Sequence, residues 1–228
     1  MSKIPAWFVH LYTASGGIFA LLAVISISNS EFAQAMVWLM ICFFIDGTDG
    51  LLARRFRVKE VLPGMDGKNI DYITDFITYA FVPAYFVFQS NLVNSSLRLP
   101  LAGYIILISA FYYGRSNMVS QKGQFTGFPV LWNLVVFYTY FIFEAGPIFN
   151  TVFILFFGIL HFLPIQVSYP SNNLKKNPLP FIVGTAMLIV FIGTLLIYPA
   201  SYLLFKLIAL AAFAYFIYLT IYYTWFSR

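Results

Sequence analysis

From Phe32 to Arg54 the chain reads FAQAMVWLMICFFIDGTDGLLAR, and after a gap of twelve residues Gly67 opens GKNIDYITD, which ends at Asp75. The first stretch is long enough to cross a bilayer as a helix, which takes about 20 apolar residues for a core about 30 Å thick. Yet it carries Asp46 and Asp49 close to its end. Carboxylates in a membrane segment are costly, and they mark functional positions. The apolar run therefore sets the fold class, and the acids inside it locate the chemistry.

Working outward, similar runs recur along the whole chain. The 228 residues are 61% hydrophobic and only 9% charged, whereas a soluble domain carries about a quarter charged residues. Spans are expected at about 11–28, 32–54, 68–89, 99–117, 128–146, 148–167, 179–198 and 201–224, the break at Pro147 being the shortest. The expectation is an all-α integral membrane protein, a polytopic bundle of about eight helices. The stretch 3–10, with Trp7 and Phe8 beside Lys3, is too short to span and suits an interfacial segment. The chain reads as a single membrane domain over 1–228, with a motif-bearing core at about 11–167 and two additional spans at about 179–224. No convincing small-residue cleavage site follows the first apolar run, so no signal peptide is expected. The lone Cys42 allows no intrachain disulfide, and its apolar setting reads as a packed or lipid-facing thiol.

Basic residues orient the spans. Lys3, Arg54, Arg55, Arg57, Lys59, Lys68, Arg115, Lys122, Lys175, Lys176 and Arg228 fall on one side of the membrane, and only Arg98 and Lys206 on the other. By the positive-inside rule the first group is cytoplasmic. Both termini are then expected in the cytoplasm, with the Asp46–Asp75 region at the same face. The net charge of +5 is accounted for by this topology, and nucleic acid is not expected as a partner.

Spacing turns the acids into a site. Asp46 and Asp49 are three apart and Asp71 and Asp75 four apart, so each pair shares a helix face. A short reversal with Pro63-Gly64 as its turn signal joins the two segments and aims four carboxylates at one another. Unpaired, they would repel. Two divalent cations would neutralise them, and hard oxygen ligands suit magnesium or manganese. A two-metal clamp polarises a phosphoryl group and stabilises a leaving phosphate. Gly47, Gly50, Ala53 and Gly67 leave room for a ligand against the backbone, and Arg54 offers a fork of donors to a phosphate. The rival from another class is a cation-coupled transporter using the acids as an ion path. Asp66, just before Gly67, reads as a helix N-cap. Glu31 and Glu60 read as solvated boundary charges.

The order Asp46, Asp49, Gly50, Ala53, Arg54, Gly67, Asp71, Asp75 resembles the signature of the CDP-alcohol phosphotransferase family. Most members have eight residues between the Arg and the second Gly, where this chain has twelve. That spacer, Gly47, and the runs Asp75-Phe-Ile-Thr-Tyr-Ala-Phe-Val-Pro-Ala-Tyr85 and Thr126-Gly-Phe-Pro-Val-Leu-Trp-Asn133 look like the bacterial phosphatidylcholine synthase subfamily. The resemblance covers roughly 5–170, and the last two spans match in kind only. It implies that choline attacks the lipid-bearing phosphate of CDP-diacylglycerol and that CMP leaves. It assigns Asp46, Asp49, Asp71 and Asp75 to the two cations (Mn2+ or Mg2+), with Asp75 also as general base. It assigns Asp49, Gly50, Ala53, Arg54, Gly67 and Asp71 to the nucleotide. It places the enzyme in a bacterial inner membrane and leaves a homodimer open. Serine, inositol or glycerol phosphate is the alternative acceptor.

A quaternary ammonium is usually held by aromatic faces. With 21% aromatic residues, abundance alone says little. Tyr79, Tyr112, Tyr113 and Trp132, with Asn133 as a polar orienter, lie nearest the expected site and are the choline candidates. Packing or a membrane belt is the plainer role for each. Arg115 and Lys122 are candidates for a phosphate or lipid headgroup. Glu144 falls at the opposite face. His10 and His161 read as packing histidines. Thr13-Ala-Ser-Gly16 opens the first span where it can reach the nucleotide, although small packing residues are equally expected there.

Overall fold

The computed structural model describes residues 3–116, 118–120, 124–168 and 177–226. Lys122, Lys175, Lys176 and Arg228 lie outside the described residues. The order of elements is α1 (Ile4–Ser28), α2 (Phe32–Arg55), α3 (Val58–Val61), α4 (Gly67–Asp75), a π-helical turn (Phe76–Phe81), α5 (Val82–Gln89) and a 3-10 turn (Ser95–Leu97). Then come α6 (Arg98–Tyr113), β1 (Gln124–Thr126), α7 (Trp132–Phe137), a second π-helical turn (Tyr138–Phe143), α8 (Pro147–Leu160), β2 (Gln166–Ser168), α9 (Leu179–Ile197), α10 (Leu203–Ile221) and a last π-helical turn (Tyr222–Phe226).

This is an all-α polytopic membrane protein. Five helices are long and apolar enough to cross a membrane: Ile4–Ser28, Phe32–Arg55, Ser95–Tyr113, Leu179–Ile197 and Leu203–Phe226. The rod from Gly67 to Gln89 is continuous but carries Lys68, Asp71 and Asp75 near its start. Trp132–Phe143 and Pro147–Leu160 are shorter apolar helices. The break between them is real. Glu144 takes a left-handed backbone, φ 47°, and Pro147 restarts the helix at its first turn.

Two expectations change. The segment 3–10 is not a separate interfacial element, because Pro5 starts α1 and nothing interrupts it before Ser28. At 1.5 Å per residue the 25 residues of α1 span about 37 Å, more than the apolar core, so the exposed Trp7 and Phe8 reach headgroup level. The loops also carry a short antiparallel ribbon, with Gln124 opposite Ser168 and Thr126 opposite Gln166. Gly127, just after β1, has a φ of +85° that sets the chain against the His161 carbonyl and leaves no room for a Cβ.

Small residues bring the first helices together. Ala20 and Ala23 of α1 and Ala35 of α2 are buried, and the two helices pack on each other. Gly16 of α1 lies so close to α4 that a Cβ would stand 2.7 Å from the Thr74 methyl. In a membrane, where lipid tails are as apolar as Leu, such close backbone approach is what holds helices together. The aromatic core lies deeper. Phe137 stacks on Phe191 of α9 with ring centroids 3.7 Å apart, and the Tyr138 hydroxyl donates to the Ala209 carbonyl of α10 at 2.8 Å.

Candidate active site

The carboxylates sit where α2 runs out and α4 begins. α2 and α4 both pack on α1, with the reversal through α3 between them. Asp66 caps α4, its Oδ1 accepting from the Lys68 amide at 3.0 Å. This fixes the first turn of α4 and hence the direction of Asp71 and Asp75.

One carboxylate oxygen each from Asp46, Asp49 and Asp71 lies within 4.8 Å of the others. Asp75 is within hydrogen-bond reach of Asp46. All four face a narrow pocket walled also by Thr13 and Thr74. Two ordered hydroxyls steer the acids. Thr13 Oγ1 donates to Asp49 Oδ2 at 2.8 Å, and the Tyr79 hydroxyl donates to Asp46 Oδ2 at 2.8 Å. Asp49 is buried and the other three are half-buried. The ion pairs among the described residues are Arg57–Glu60 and Lys206–Glu144, so neither neutralises the cluster. Hard oxygen donors from Asp46, Asp49 and Asp71 converge outside any ion pair of the described residues, with Asp75 against Asp46, and that donor set fits a divalent cation.

The glycines lie on the same two helices as the acids, Gly47 and Gly50 on α2 and Gly67 at the start of α4. Nothing lies within 4 Å of the position a Cβ would take at Gly47. At Gly50 the nearest atom is Arg54 Nη1 at 3.5 Å, so the guanidinium folds back along α2 beside the open backbone. At Gly67 a Cβ would meet the His10 ring at 3.0 Å. His10 is buried, and its Nε2 has no hydrogen-bond partner.

The choline candidates divide into two groups. Tyr79 and Tyr113 belong to the carboxylate end. Tyr79 bonds Asp46, while Tyr113 packs on Phe76 and on Tyr72 with centroids 6.2 and 6.1 Å away. Tyr112 and Trp132 instead surround His161. The Trp132 ring stacks on it at 5.1 Å, and Trp132 Nε1 donates to Ser109 Oγ at 2.9 Å. Both rings are buried. Asn133 Oδ1 accepts from the Leu134 amide at 2.8 Å, a local bond at the start of α7. Arg115 points into the same group, with Nη1 on the His161 carbonyl at 2.9 Å and its guanidinium 5.7 Å from the Tyr112 ring. Glu144 lies at the other end of the bundle, paired with Lys206 at 2.7 Å.

Sequence reasoning did not single out Tyr72 and Phe76. Each follows one of the second pair of aspartates, and they are four apart, so they form an aromatic stripe beside the acids on one helix.

The sequence profile described as CDP-alcohol phosphatidyltransferase matches residues 4–163. The chain belongs to this family. As a CDP-alcohol phosphatidyltransferase it is similar to the phosphatidylcholine synthase of Agrobacterium fabrum, 38% identical over 182 residues, which is 80% of this chain and 75% of the relative. It is 36% identical to the phosphatidylcholine synthase of Rhizobium meliloti over 78% of this chain and 73% of the relative. The similarity to that of Pseudomonas aeruginosa, 34% identical, takes in 95% of this chain and 91% of the relative. This last match is long enough to include parts of α9 and α10, so the likeness is not confined to the motif-bearing helices.

Proposed function

We propose that this chain is a phosphatidylcholine synthase that transfers the phosphatidyl group of CDP-diacylglycerol to choline and releases CMP. The observation that carries the reading is the convergence of Asp46, Asp49 and Asp71 within 4.8 Å, with Asp75 against Asp46. The names of the relatives supply the acceptor.

Asp46, Asp49, Asp71 and Asp75 would hold two divalent cations, Mn2+ or Mg2+. Bound there, these supply positive charge against the pyrophosphate and the departing CMP. Thr13 and Tyr79 keep their carboxylates turned into the pocket. Gly50 and Gly67 let the nucleotide lie along the backbone, between Ala53, Arg54 and His10. Arg54 offers its fork of donors to a phosphate. Asp75 takes the proton from the choline hydroxyl. The choline oxygen forms a bond to the lipid-bearing phosphorus as the bond from that phosphorus to the CMP oxygen breaks. Tyr79 and Tyr113, with Tyr72 and Phe76, present aromatic faces to the trimethylammonium. Arg115 is committed to the His161 carbonyl, away from this pocket.

The basic residues near the carboxylate end support a cytoplasmic site in a bacterial inner membrane, with both termini cytoplasmic. A lipid-tailed donor then enters from the bilayer and choline from the cytosol. The test is an acceptor screen on purified protein with CDP-diacylglycerol and Mn2+ or Mg2+. CMP and lipid product are expected with choline and not with serine, inositol or glycerol phosphate. Product with one of those instead would reassign the acceptor. CMP no higher than in a choline-free control would remove the choline reading.

A further inference from the structure

A second cavity lies at the far end of the rod built from α4, the first π-helical turn and α5. Asp75 and Gln89 are fourteen residues apart on that rod, about 21 Å at 1.5 Å per residue. The cavity begins just beyond Gln89 and is remote from the carboxylates. Asn91, Leu92, Thr139, Tyr140, Glu144 and Asn150 wall it, and the transfer reaction uses none of them.

The polar groups of this wall accept hydrogen bonds. Asn150 is only 2% exposed, and its Nδ2 donates to the carbonyls of Leu92 at 2.8 Å and Ala145 at 3.2 Å. That fixes the amide and leaves Oδ1 buried with no partner. Native chains keep few such groups unless something else satisfies them. The Thr139 hydroxyl proton is committed to the carbonyls of Val135 and Val136, at 2.9 and 3.1 Å, so its oxygen is left to accept. Glu144 adds a carboxylate, held on a left-handed residue where the helix breaks. Of these acceptors Glu144 is the exposed one, and its carboxylate asks for an N–H donor carrying positive charge.

Cations stand at the rim. Lys206 Nζ is 2.7 Å from Glu144 Oε2, and Arg98 donates through Nη2 to Asn91 Oδ1. They are the two basic residues that the sequence places on this side of the membrane. A ligand that offers an ammonium to the wall and a phosphate to the rim matches both sets of charges. Ile148 and Phe149, at the start of α8 beside Asn150, are exposed, so an acyl chain can lie next to the opening.

We propose that this cavity binds the headgroup of a phospholipid bearing a primary amine, drawn from the leaflet opposite the carboxylate site. A choline headgroup has no N–H to give the Glu144 carboxylate, so the product of the proposed reaction would not compete well here. The inference stands on the cavity and does not depend on the acceptor alcohol.

The test is co-purification of lipid with the full chain from nanodiscs holding equal amounts of phosphatidylethanolamine, phosphatidylcholine and phosphatidylglycerol. Phosphatidylethanolamine is expected to be retained about five-fold over the other two, the preference a hydrogen bond or two provides. Glu144→Gln and Lys206→Gln each change a residue outside the proposed catalytic machinery and preserve side-chain size. Both should bring retention toward parity while CMP release in phosphatidylglycerol nanodiscs stays unchanged. Equal retention of the three lipids, or full preference persisting in both Glu144→Gln and Lys206→Gln, overturns the proposal. So does binding of free glycerophosphoethanolamine with no lipid retained, which would make the ligand a soluble amine.

Discussion

The Thr13 hydroxyl donates to Asp49 Oδ2 across 2.8 Å, tying α1 to the carboxylate cluster on α2. A hydrogen bond behind a ligand fixes which oxygen the ligand presents, and losing such a partner costs about 10- to 100-fold in metal affinity or activity. Thr13→Val keeps the shape and removes the donor. The metal concentration for half-maximal CMP release should rise by that factor, and Thr13→Ser should restore it. Equal requirements for Thr13→Val and the parent would show that Asp49 orients without this bond.

Tyr79 can serve as the orienter of Asp46 and as an aromatic wall, and two substitutions separate the roles. Tyr79→Phe removes only the donor to Asp46. It should lower kcat and raise the metal requirement while leaving the KM for choline unchanged. Tyr79→Ala should also raise the choline KM, by about 2- to 30-fold for a lost cation–π contact of about 0.5–2 kcal/mol. A choline KM that moves equally in both variants would leave the ring without a role in recognition.

Periodicity made much of this legible in sequence. Apolar runs of spanning length marked the helices, and Asp46–Asp49 and Asp71–Asp75 at three and four residues gave the shared faces. Short helices were harder to read. Trp132–Phe143 and Pro147–Leu160 are apolar but shorter than the other spans, and composition cannot show where hydrogen bonding stops. The ribbon of β1 and β2 depends on partners forty-odd residues apart, a pairing that no local pattern encodes. In the site, the carboxylates were found because acid is conspicuous in an apolar chain. Among the aromatics Trp132 and Tyr72 look alike in sequence, and only packing sends one to Ser109 and His161 and the other to Tyr113.

That division predicts opposite outcomes for two aromatic substitutions. Tyr113→Ala, beside Tyr72 and Phe76, should raise the KM for choline several-fold with little change in melting temperature or in the KM for CDP-diacylglycerol. Trp132→Ala removes a fully buried indole, and a large-to-small change there costs about 3–5 kcal/mol. It should lower the melting temperature in detergent sharply, and protein that remains folded should bind choline normally. Steady-state kinetics together with thermal unfolding of both variants checks this. A stable Trp132→Ala protein with weakened choline binding would return Trp132 to the acceptor site.

Gly16 sets the spacing between α1 and α4. A Cβ there would press on the Thr74 methyl at 2.7 Å, so a larger side chain must part the helix that carries Thr13 from the one that carries Asp71 and Asp75. Gly16→Leu should therefore lose both stability and CMP release. At Gly67 the clash is milder, with the His10 ring at 3.0 Å. Gly67→Ala should keep the fold and raise the KM for CDP-diacylglycerol more than it lowers kcat. A parent-like Gly16→Leu enzyme would mean that the approach of α1 to α4 is not needed for catalysis.

Asp75 carries two assignments, cation ligand and general base, and they predict different behaviour on substitution. Asp75→Asn removes the proton acceptor but leaves an oxygen that can still ligate. General-base assistance contributes about 10²- to 10⁴-fold, so turnover should fall by that much at saturating choline, CDP-diacylglycerol and metal. Its neighbour Asp71 lies within the set of three oxygens that converge within 4.8 Å, and Asp71→Asn should act mainly on metal binding. Raising Mn2+ should then recover much of the activity of Asp71→Asn and little of that of Asp75→Asn. Metal content per chain, measured alongside CMP release, separates lost occupancy from lost chemistry. Recovery of Asp75→Asn at high Mn2+ would make Asp75 a ligand alone and move the base elsewhere in the pocket.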